Sequence, residues 1–274
     1  MLIQPPYPKL EEYFTEIGEV GARLSELNCC EGSSGNISVC FNWPCEPDKL
    51  LSEQIQVKLP VFIPKLAGFT LIVTGSGCRL PEIYRNPARY LCIVQIHADG
   101  KTGSLFRSPQ RCFEKPTSEF NSHLASHCQQ IVATGANFHA LVHTHPPYLT
   151  FLSNIPTYQN AHMLTRRVLC WQPEMITHIP EGLGWVPFCV PGSDDLMNAS
   201  LNALKTNRVI VWAKHGIVAR SEIGLKNALD LIEFTEAGAR YEFFNLASGG
   251  QGEGLLPNEI GAICDFYHFE QNII

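Results

Sequence analysis

The chain has 274 residues, of which 45% are hydrophobic and 17% are charged, and its net charge is −6. This length and balance predict a globular protein with a substantial core, which we interpret as a single domain over residues 1–274. The acidic balance, without any basic stripe, argues against nucleic-acid binding. The sequence shows neither a signal-peptide pattern nor an uncharged run of membrane-spanning length, which predicts a cytoplasmic protein without membrane attachment.

The chain contains eleven cysteines, so at least one of them cannot pair within the chain. None of them form Cys-x-x-Cys, and several lie in apolar segments, where a free cysteine behaves as a small buried hydrophobe. We predict that they are reduced. Cys29 with Cys30, or Cys40 with Cys45, are the alternatives that the spacing leaves open.

The first half of the chain begins with apolar residues at helical spacing, which predict an amphipathic helix over residues 9–28. Strand patterns then follow at residues 37–41, 57–59, 61–63, 69–74 and 91–97. The second and third of these lie in the ambiguous segment 50–68. The last leads into an Asp99-Gly100 turn, which predicts a hairpin.

The second half of the chain alternates helical and strand patterns. A helix is predicted to begin after Pro116, with Thr117 or Ser118 as its N-cap. The later elements are a strand at 139–143, a helix at 160–171, a helix capped at Ser193, strands at 208–213 and 217–219, a helix at 221–247 and a helix from Pro257. This interleaving predicts an α/β fold with a central sheet that is covered on both faces.

A candidate metal site begins with His143 and His145, which lie two residues apart on a predicted strand and therefore point to the same face. A catalytic zinc usually takes three protein ligands and keeps one position open. His215 is the best third candidate, because it follows the strand at 208–213 and precedes Gly216. His139 would lie about 13 Å from His143 along the strand and is left out. A bare His-x-His pair without a metal remains the alternative.

Three loops of small residues could bind an anion. Their candidate ligand-binding residues are Ser33, Gly35, Asn36, Ser76, Gly77, Thr117 and Ser118. Backbone N–H groups and hydroxyls in such loops can converge on a phosphate, and the last loop adds the positive end of a helix. Taken singly, each loop also fits an ordinary turn or cap.

Glu119 follows the third loop, in the first turn of the predicted helix. A carboxylate is electrostatically favoured there, so a purely structural role is one interpretation. A role as general base requires the metal site to lie nearby. His123 and His127 are one helical turn apart and could form a metal pair. The sequence has no His-Glu-x-x-His arrangement, so we interpret them as ordinary helix residues.

These motifs, in this order, resemble the class II, zinc-dependent sugar-phosphate aldolase family. The matching segments are Gly35-Asn36, Ile72–Gly77, Pro116–Glu119, His143–His145, Val190–Gly192 and Lys214–Gly216. They are spread over nearly the whole chain. The resemblance implies a three-layer α/β/α fold around a mixed, largely antiparallel sheet, and a homotetramer with sites at subunit interfaces.

The resemblance also implies roles for individual residues. His143, His145 and His215 would bind one Zn²⁺ per subunit, and Glu119 would be the catalytic base. Glu174 would supply an acid to the site of a neighbouring subunit. Three imidazoles would also accept cobalt, nickel or iron.

The substrate is suggested by the long segment between Gly35-Asn36 and Thr74-Gly75. This segment resembles the branch of the family that cleaves L-rhamnulose 1-phosphate to dihydroxyacetone phosphate and L-lactaldehyde. One alternative is an aldolase or epimerase that acts on another sugar phosphate, such as L-fuculose 1-phosphate. Another is an adducin-like interaction module that keeps the fold without the chemistry.

Overall fold

A computed structural model describes residues 2–271 and 273 of the chain. The strands are β1 (Asn36–Phe41), β2 (Glu53–Lys58), β3 (Thr70–Thr74), β4 (Leu91–Ile96), β5 (Thr102–Arg107), β6 (Phe138–Thr144), β7 (Leu183–Val186), β8 (Val209–Trp212) and β9 (Gly216–Ser221). The α-helices are α1 (Leu10–Glu26), α2 (Leu80–Ile83), α3 (Phe120–Thr134), α4 (Pro147–Leu152), α5 (Ala161–Leu169), α6 (Pro173–His178), α7 (Asp194–Ala203), α8 (Leu225–Ala247) and α9 (Pro257–Tyr267).

Within the described residues, the strands form a single nine-stranded sheet in the order β2-β5-β4-β3-β1-β6-β9-β8-β7. Neighbouring strands are antiparallel except β7 and β8, which pair in parallel. This arrangement confirms the predicted mixed, largely antiparallel sheet. Strands β1 and β6 lie at its centre, with β9 beside β6, and these three strands position the candidate site.

The central strand β1 shows how both faces of the sheet are covered. Its alternate side chains Ile37 and Val39 pack in one core cluster with residues of α1 and α8. Cys40 points to the opposite face, where it packs in a second cluster with Leu124 of α3. Side chains alternate across a strand, so an entirely buried strand needs a layer of helices on each side. The three-layer α/β/α prediction is confirmed.

The strand predicted at residues 61–63 is wrong. The one strand within residues 50–68, all of which the structure describes, is β2 at Glu53–Lys58, which overlaps the strand predicted at residues 57–59 and begins four residues earlier. Its side chains alternate between partly buried and exposed positions. Polar residues occupy the outer face of this edge strand, and for that reason the apolar pattern was weak. The helix predicted from residue 221 begins at Leu225, because Ser221 still belongs to β9.

The predicted cap of α3 is also wrong. The residue at the cap position is Glu119, and no side chain makes the N-cap hydrogen bond. Instead, the hydroxyl of Thr117 accepts a hydrogen bond from the backbone N–H of Glu119 at 3.4 Å. The loop that precedes the helix is therefore folded on itself, and Glu119 faces the interior at 3% exposure.

The eleven cysteines all lie within the described part of the chain and are free thiols. Among residues 2–271 and 273, no helix combines the length and the apolar character that a membrane crossing requires.

Candidate active site

Three histidines converge where β6 ends beside the turn between β8 and β9. His143 is near the end of β6, His145 follows that strand, and His215 is in the turn. One ligand nitrogen from each lies within 4.8 Å of the others. Since β6 and β9 are antiparallel neighbours, the end of β6 and the start of β9 meet at the same edge of the sheet. The sheet therefore brings together residues that are 70 positions apart.

The turn that carries His215 approaches β6 very closely. A Cβ atom on Gly216 would lie 2.4 Å from the carbonyl oxygen of Thr144 and 2.8 Å from the ring of His145. Lys214, on the other side of His215, has a φ of +60°, which is uncommon for a residue with a side chain. Its backbone N–H donates to the hydroxyl of Ser153 at 2.8 Å, which stabilises this conformation.

The hydrogen bonds of these rings show which nitrogens carry lone pairs. Nδ1 of His143 lies 2.8 Å from the carbonyl oxygen of Ile217, so it must be an N–H donor. Burial lowers the pKa of this ring and so leaves its Nε2 without a proton. Nδ1 of His145 lies 3.6 Å from the carboxylate of Glu31, which favours a proton there too. Both Nε2 atoms then carry lone pairs, and they are 3.2 Å apart. Facing lone pairs repel unless a cation lies between them, so these residues fit a metal ion.

The ionisation of the three rings also suits a metal. Burial, followed by the effect of His145, lowers the pKa of His143 to about 3. Burial, followed by the effect of His143, lowers the pKa of His215 to about 4. The pKa of His145 is lowered by burial, although the carboxylates of Glu31 and Glu119 oppose the shift. Neutral imidazole is the form that ligates metals.

Glu119 borders the three rings. One carboxylate oxygen lies 3.6 Å from Nε2 of His143, and the other lies 3.8 Å from Nε2 of His215. The amide of Asn36 donates a 2.8 Å hydrogen bond to the first oxygen. Asn36 is in register with His143 across the β1–β6 pair, and this register explains why the amide reaches the carboxylate. The site therefore holds a fixed carboxylate within reach of anything bound at the rings.

A cavity of about 180 Å³ opens beside these groups. It is lined by Ser33, Ser34, Gly35, Asn36, Gly75, Gly77, Thr117, Ser118, Glu119, His143, His145, Pro191 and His215. The described lining contains no lysine or arginine. An anion there would be bound by hydroxyls and backbone N–H groups, close to the N-terminus of the 15-residue helix α3.

Two of the predicted site residues do not line this cavity. Ser76 lies between two lining glycines, but its own N–H donates to the carbonyl of Lys115 at 2.9 Å. Glu174 is exposed in the first turn of α6, away from the cavity of its own chain. A role for Glu174 therefore requires another subunit.

Sequence reasoning missed several residues of the site. Ser34, Gly75 and Pro191 line the cavity, and Glu31 lies next to His145. Each of the first three belongs to a segment in which a motif was recognised. Their position next to predicted site residues was the signal that could have identified them. No pattern in the sequence indicated the hydrogen bond between Asn36 and Glu119, because it depends on the register of β1 with β6 and on the start of α3.

The sequence matches the family described as Class II Aldolase and Adducin N-terminal domain over residues 15–243. This match spans most of the chain and includes every residue of the candidate site. The chain belongs to this family. The matched range runs from within α1 to within α8, so it contains the whole nine-stranded sheet.

Individual members of the family are similar over nearly their full lengths. A rhamnulose-1-phosphate aldolase from Listeria innocua serovar 6a is 28% identical over 266 residues, which cover 94% of each chain. The crystal structure of a sugar-phosphate aldolase from Thermotoga maritima superposes with a TM-score of 0.74 at 26% identity, covering 88% of this chain and 97% of that one. An L-fuculose 1-phosphate aldolase shares the fold, with a TM-score of 0.59 at 19% identity over 93% and 96% of the two chains.

Proposed function

We propose that this protein is a zinc-dependent aldolase that reversibly cleaves L-rhamnulose 1-phosphate to dihydroxyacetone phosphate and L-lactaldehyde. The observation that carries the proposal is the convergence of three imidazoles and a buried carboxylate in one cavity. The full-length similarity to a rhamnulose-1-phosphate aldolase supports the choice of substrate.

In this proposal, His143, His145 and His215 hold one Zn²⁺ per subunit. Three imidazole nitrogens suit zinc in a catalytic site, where a further position stays open for substrate. When bound, the ion would act as a Lewis acid toward the oxygen atoms of the sugar. The ring of His143 is held for this task by its hydrogen bond to Ile217 and by Trp212, whose ring centroid lies 4.4 Å away.

Glu119 is the proposed base. In the cleavage direction, the C3–C4 bond breaks, the C4 hydroxyl loses its proton and becomes the aldehyde, and the bonding pair remains at C3. Glu119, which is ionised at rest, then takes up a proton from solvent and delivers it to C3, which completes dihydroxyacetone phosphate. The proton from the C4 hydroxyl is released to solvent, so no net proton is consumed. In the synthetic direction its carboxylate removes that proton. Burial and the hydrogen bond from Asn36 fix the carboxylate, so little reorganisation is needed at the moment of transfer.

The phosphate is proposed to bind in the loops around residues 33–36, 75–77 and 117–118. Gly35 has a φ of +81°, and a Cβ atom there would lie 2.9 Å from the carbonyl oxygen of His143. Glycine thus lets this loop pass directly over β6. Ser33, Thr117 and Ser118 would offer hydroxyls, and the N-terminal end of α3 favours negative charge.

A homotetramer with sites at subunit interfaces is part of the same proposal. Glu174 is exposed at the start of α6 and does not line the cavity of its own chain. A neighbouring subunit could place it at the aldehyde end of the substrate, where it would take the C4 hydroxyl proton during cleavage and return it during synthesis.

A substrate panel tests the proposal. Purified protein would be assayed for aldehyde release from L-rhamnulose 1-phosphate, L-fuculose 1-phosphate and L-ribulose 5-phosphate under identical conditions. We expect the highest kcat/KM with L-rhamnulose 1-phosphate. Preference for the fuculose ester would move the substrate to that branch. Absence of release from all three would contradict the aldolase proposal and leave an epimerase or a non-catalytic interaction module, which an assay for epimerised sugar phosphate would separate.

A further inference from the structure

A continuous line of buried polar groups runs from Glu119 into the layer between the sheet and α3. Its members, in order, are Glu119, Asn36, His123, Ser38, His127 and His139, and none of them is more than 6% exposed. His123 and His127 lie one helical turn apart on α3 and face the sheet. Ser38 of β1 lies between them. This polar line occupies a position where apolar side chains would otherwise form the core.

Successive groups are within hydrogen-bond distance. Nε2 of His123 bonds Oδ1 of Asn36. The hydroxyl of Ser38 lies 2.6 Å from Nδ1 of His123 and 2.7 Å from Nε2 of His127. Nδ1 of His127 lies 2.7 Å from Nδ1 of His139. Five hydrogen bonds therefore join six side chains without a break.

The donor and the acceptor in each of these hydrogen bonds can be assigned by starting from Glu119. An ionised carboxylate can only accept, so Asn36 presents its NH₂ to Glu119 and its carbonyl oxygen to His123. Nε2 of His123 must then be the donor. In a neutral ring the other nitrogen, Nδ1, is an acceptor, so Ser38 donates to it. Burial supports the neutral form, because it lowers the pKa of His123 well below the ordinary range.

The same reasoning continues inward. Ser38 donates its only proton to His123, so its oxygen accepts a hydrogen bond from Nε2 of His127. The pKa of His127 is also lowered by burial, hence its Nδ1 is an acceptor and receives the proton of Nδ1 of His139. Nε2 of His139 is left as a bare lone pair, and it is a buried atom without a hydrogen-bond partner. At this inner end, Nε2 of His139 is therefore an acceptor that no donor faces. Burial, followed by the positive charge of Arg220, lowers the pKa of His139 to about 3 and so keeps the ring neutral.

We infer that this directed chain of hydrogen bonds orients the carboxylate of Glu119, and that His123 is a positioning residue for the reaction. All five donors point toward Glu119. Aligned hydrogen bonds polarise one another, so the chain strengthens the bond that Asn36 makes to the carboxylate. Without the donor of His123, the amide of Asn36 could rotate and present its oxygen to Glu119, and two acceptors would then face each other.

This inference rests on the proposed role of Glu119 as the base, whereas the proton assignment does not. The assignment is tested by NMR on wild-type protein labelled with ¹⁵N-histidine, since protonated and bare ring nitrogens have very different shifts. At neutral pH we expect His123 and His127 as Nε2–H tautomers and His139 as the Nδ1–H tautomer. Finding His127 as the Nδ1–H tautomer, or any of the three rings charged, would overturn the assigned direction of the hydrogen bonds.

The positioning role is tested with a pair of variants in metal-loaded protein. His123→Leu removes the donor, and we expect kcat to fall by about 10- to 100-fold, as for other partners that orient an active-site group. KM and metal content should stay near wild type. His123→Gln can place its amide nitrogen near the former Nε2, so it should recover most of kcat.

Gln130→Leu is the matched control. Gln130 is buried on the same helix and donates to the carbonyl of Leu204 at 2.9 Å, outside the chain of hydrogen bonds. We expect this variant to keep wild-type kcat even if its stability falls. Wild-type kcat in His123→Leu would contradict the inference, and so would equal losses in His123→Leu and His123→Gln. If His123→Leu does not fold, His123→Gln against Gln130→Leu carries the test: near-wild-type kcat in both supports the inference, and a large loss in His123→Gln overturns it.

The two proposals fail in different ways. If the wild-type protein releases aldehyde but its tautomers are reversed, the aldolase function stands and the directed chain is wrong. If the tautomers are as assigned but no sugar phosphate is cleaved, the proposed function fails, and the positioning role fails with it.

Discussion

Glu119 lies between two groups of three histidines, and the two groups use the same side chain in opposite ways. The histidines of the proposed metal site, or metal-site histidines, are His143, His145 and His215, and the core histidines are His123, His127 and His139. Burial lowers the pKa in both groups. In the core group, hydrogen bonds join the rings directly or through Ser38. In the metal-site group, nitrogens with lone pairs face each other across a shared space.

The difference shows that neither the number of histidines nor their burial identifies a metal site. The decisive feature is the position of the protons. A second hydrogen bond, such as that from His143 to Ile217, fixes the lone pair on the nitrogen that faces the other rings. The core histidines have no such converging lone pairs, because a proton lies in each of their contacts.

The largest expected effect is that of His143→Ala. It removes one of three ligands, so we expect zinc content and turnover to fall to background. His162→Ala, on the exposed side of α5, is the control and should keep both. Zinc content would be measured by mass spectrometry of the purified protein beside the turnover assay. Retention of full zinc and turnover by His143→Ala would remove the distinction between the two groups.

Glu119→Gln should keep the metal and lose the reaction. The Gln side chain can still accept from Asn36 but cannot take a proton, so kcat should fall by about 10²- to 10⁴-fold. Glu242→Gln changes another buried carboxylate, one that binds Tyr158 outside the cavity, and should keep its rate. Exchange of solvent deuterium into dihydroxyacetone phosphate measures the step directly. Wild-type exchange in Glu119→Gln would exclude it as the base.

Gly216→Ala tests the convergence of the metal-site histidines without changing a ligand. The new methyl group would lie 2.4 Å from the oxygen of Thr144, so the turn must move away from β6 and take His215 with it. We expect a loss of about 10- to 100-fold in zinc affinity, as for changes that misorient a ligand. Gly224→Ala is the control, because a methyl group there would meet nothing within 4 Å. Equal zinc affinity of both variants in a competition titration would contradict this packing.

His139→Gln tests, through the pH dependence of stability, whether the buried ring of His139 is neutral in the folded protein. Burial and Arg220 lower the pKa of His139 to about 3, so between pH 6.5 and 3 the unfolded chain binds a proton there that the folded protein does not. The free energy of unfolding therefore falls as the pH falls through this range. Removing the ring should make that fall less steep, by up to about 1.4 kcal/mol per pH unit.

Urea unfolding of metal-free protein at several pH values checks this expectation, because protonation of the metal-site histidines is then common to wild type and variant. Gln130→Leu removes no titrating group and should keep the wild-type slope. An unchanged slope in His139→Gln would show that the ring is charged in the folded protein.

The smallest effect is expected for Glu174→Gln. This residue is exposed in its own chain and acts, in our proposal, only across a subunit interface. Its kcat should fall by less than that of Glu119→Gln, with zinc content unchanged. Glu253→Gln, also exposed, should have no effect. Wild-type kinetics in Glu174→Gln would remove it from the reaction.

The fold was predictable from the sequence where elements were long and periodic. Helix α1 and strands β1 and β3 lie within one or two residues of the predicted ranges. The short helices α2, α4 and α6 were missed because four to six residues give too little helical periodicity, although each has a proline near its start. The order of the strands in the sheet could not be predicted from the sequence, because it depends on contacts between distant segments.

The site was predictable only in part. Spacing on a strand suggested His143 and His145, and a turn after a strand suggested His215. The core histidines were interpreted as ordinary helix residues or left out. A sequence shows that His123 and His127 share a helix face, but it does not show that Ser38 lies between them. That placement comes from the packing of α3 on β1, which only the structure provides.

The most direct test of the proposed metal aldolase is zinc content followed by chelation on one sample. Dihydroxyacetone phosphate release from L-rhamnulose 1-phosphate would be measured before chelation, after it, and after zinc is restored. We expect near-stoichiometric zinc, loss of release on chelation and recovery on readdition. Full release by metal-free protein would contradict the role of the three histidines.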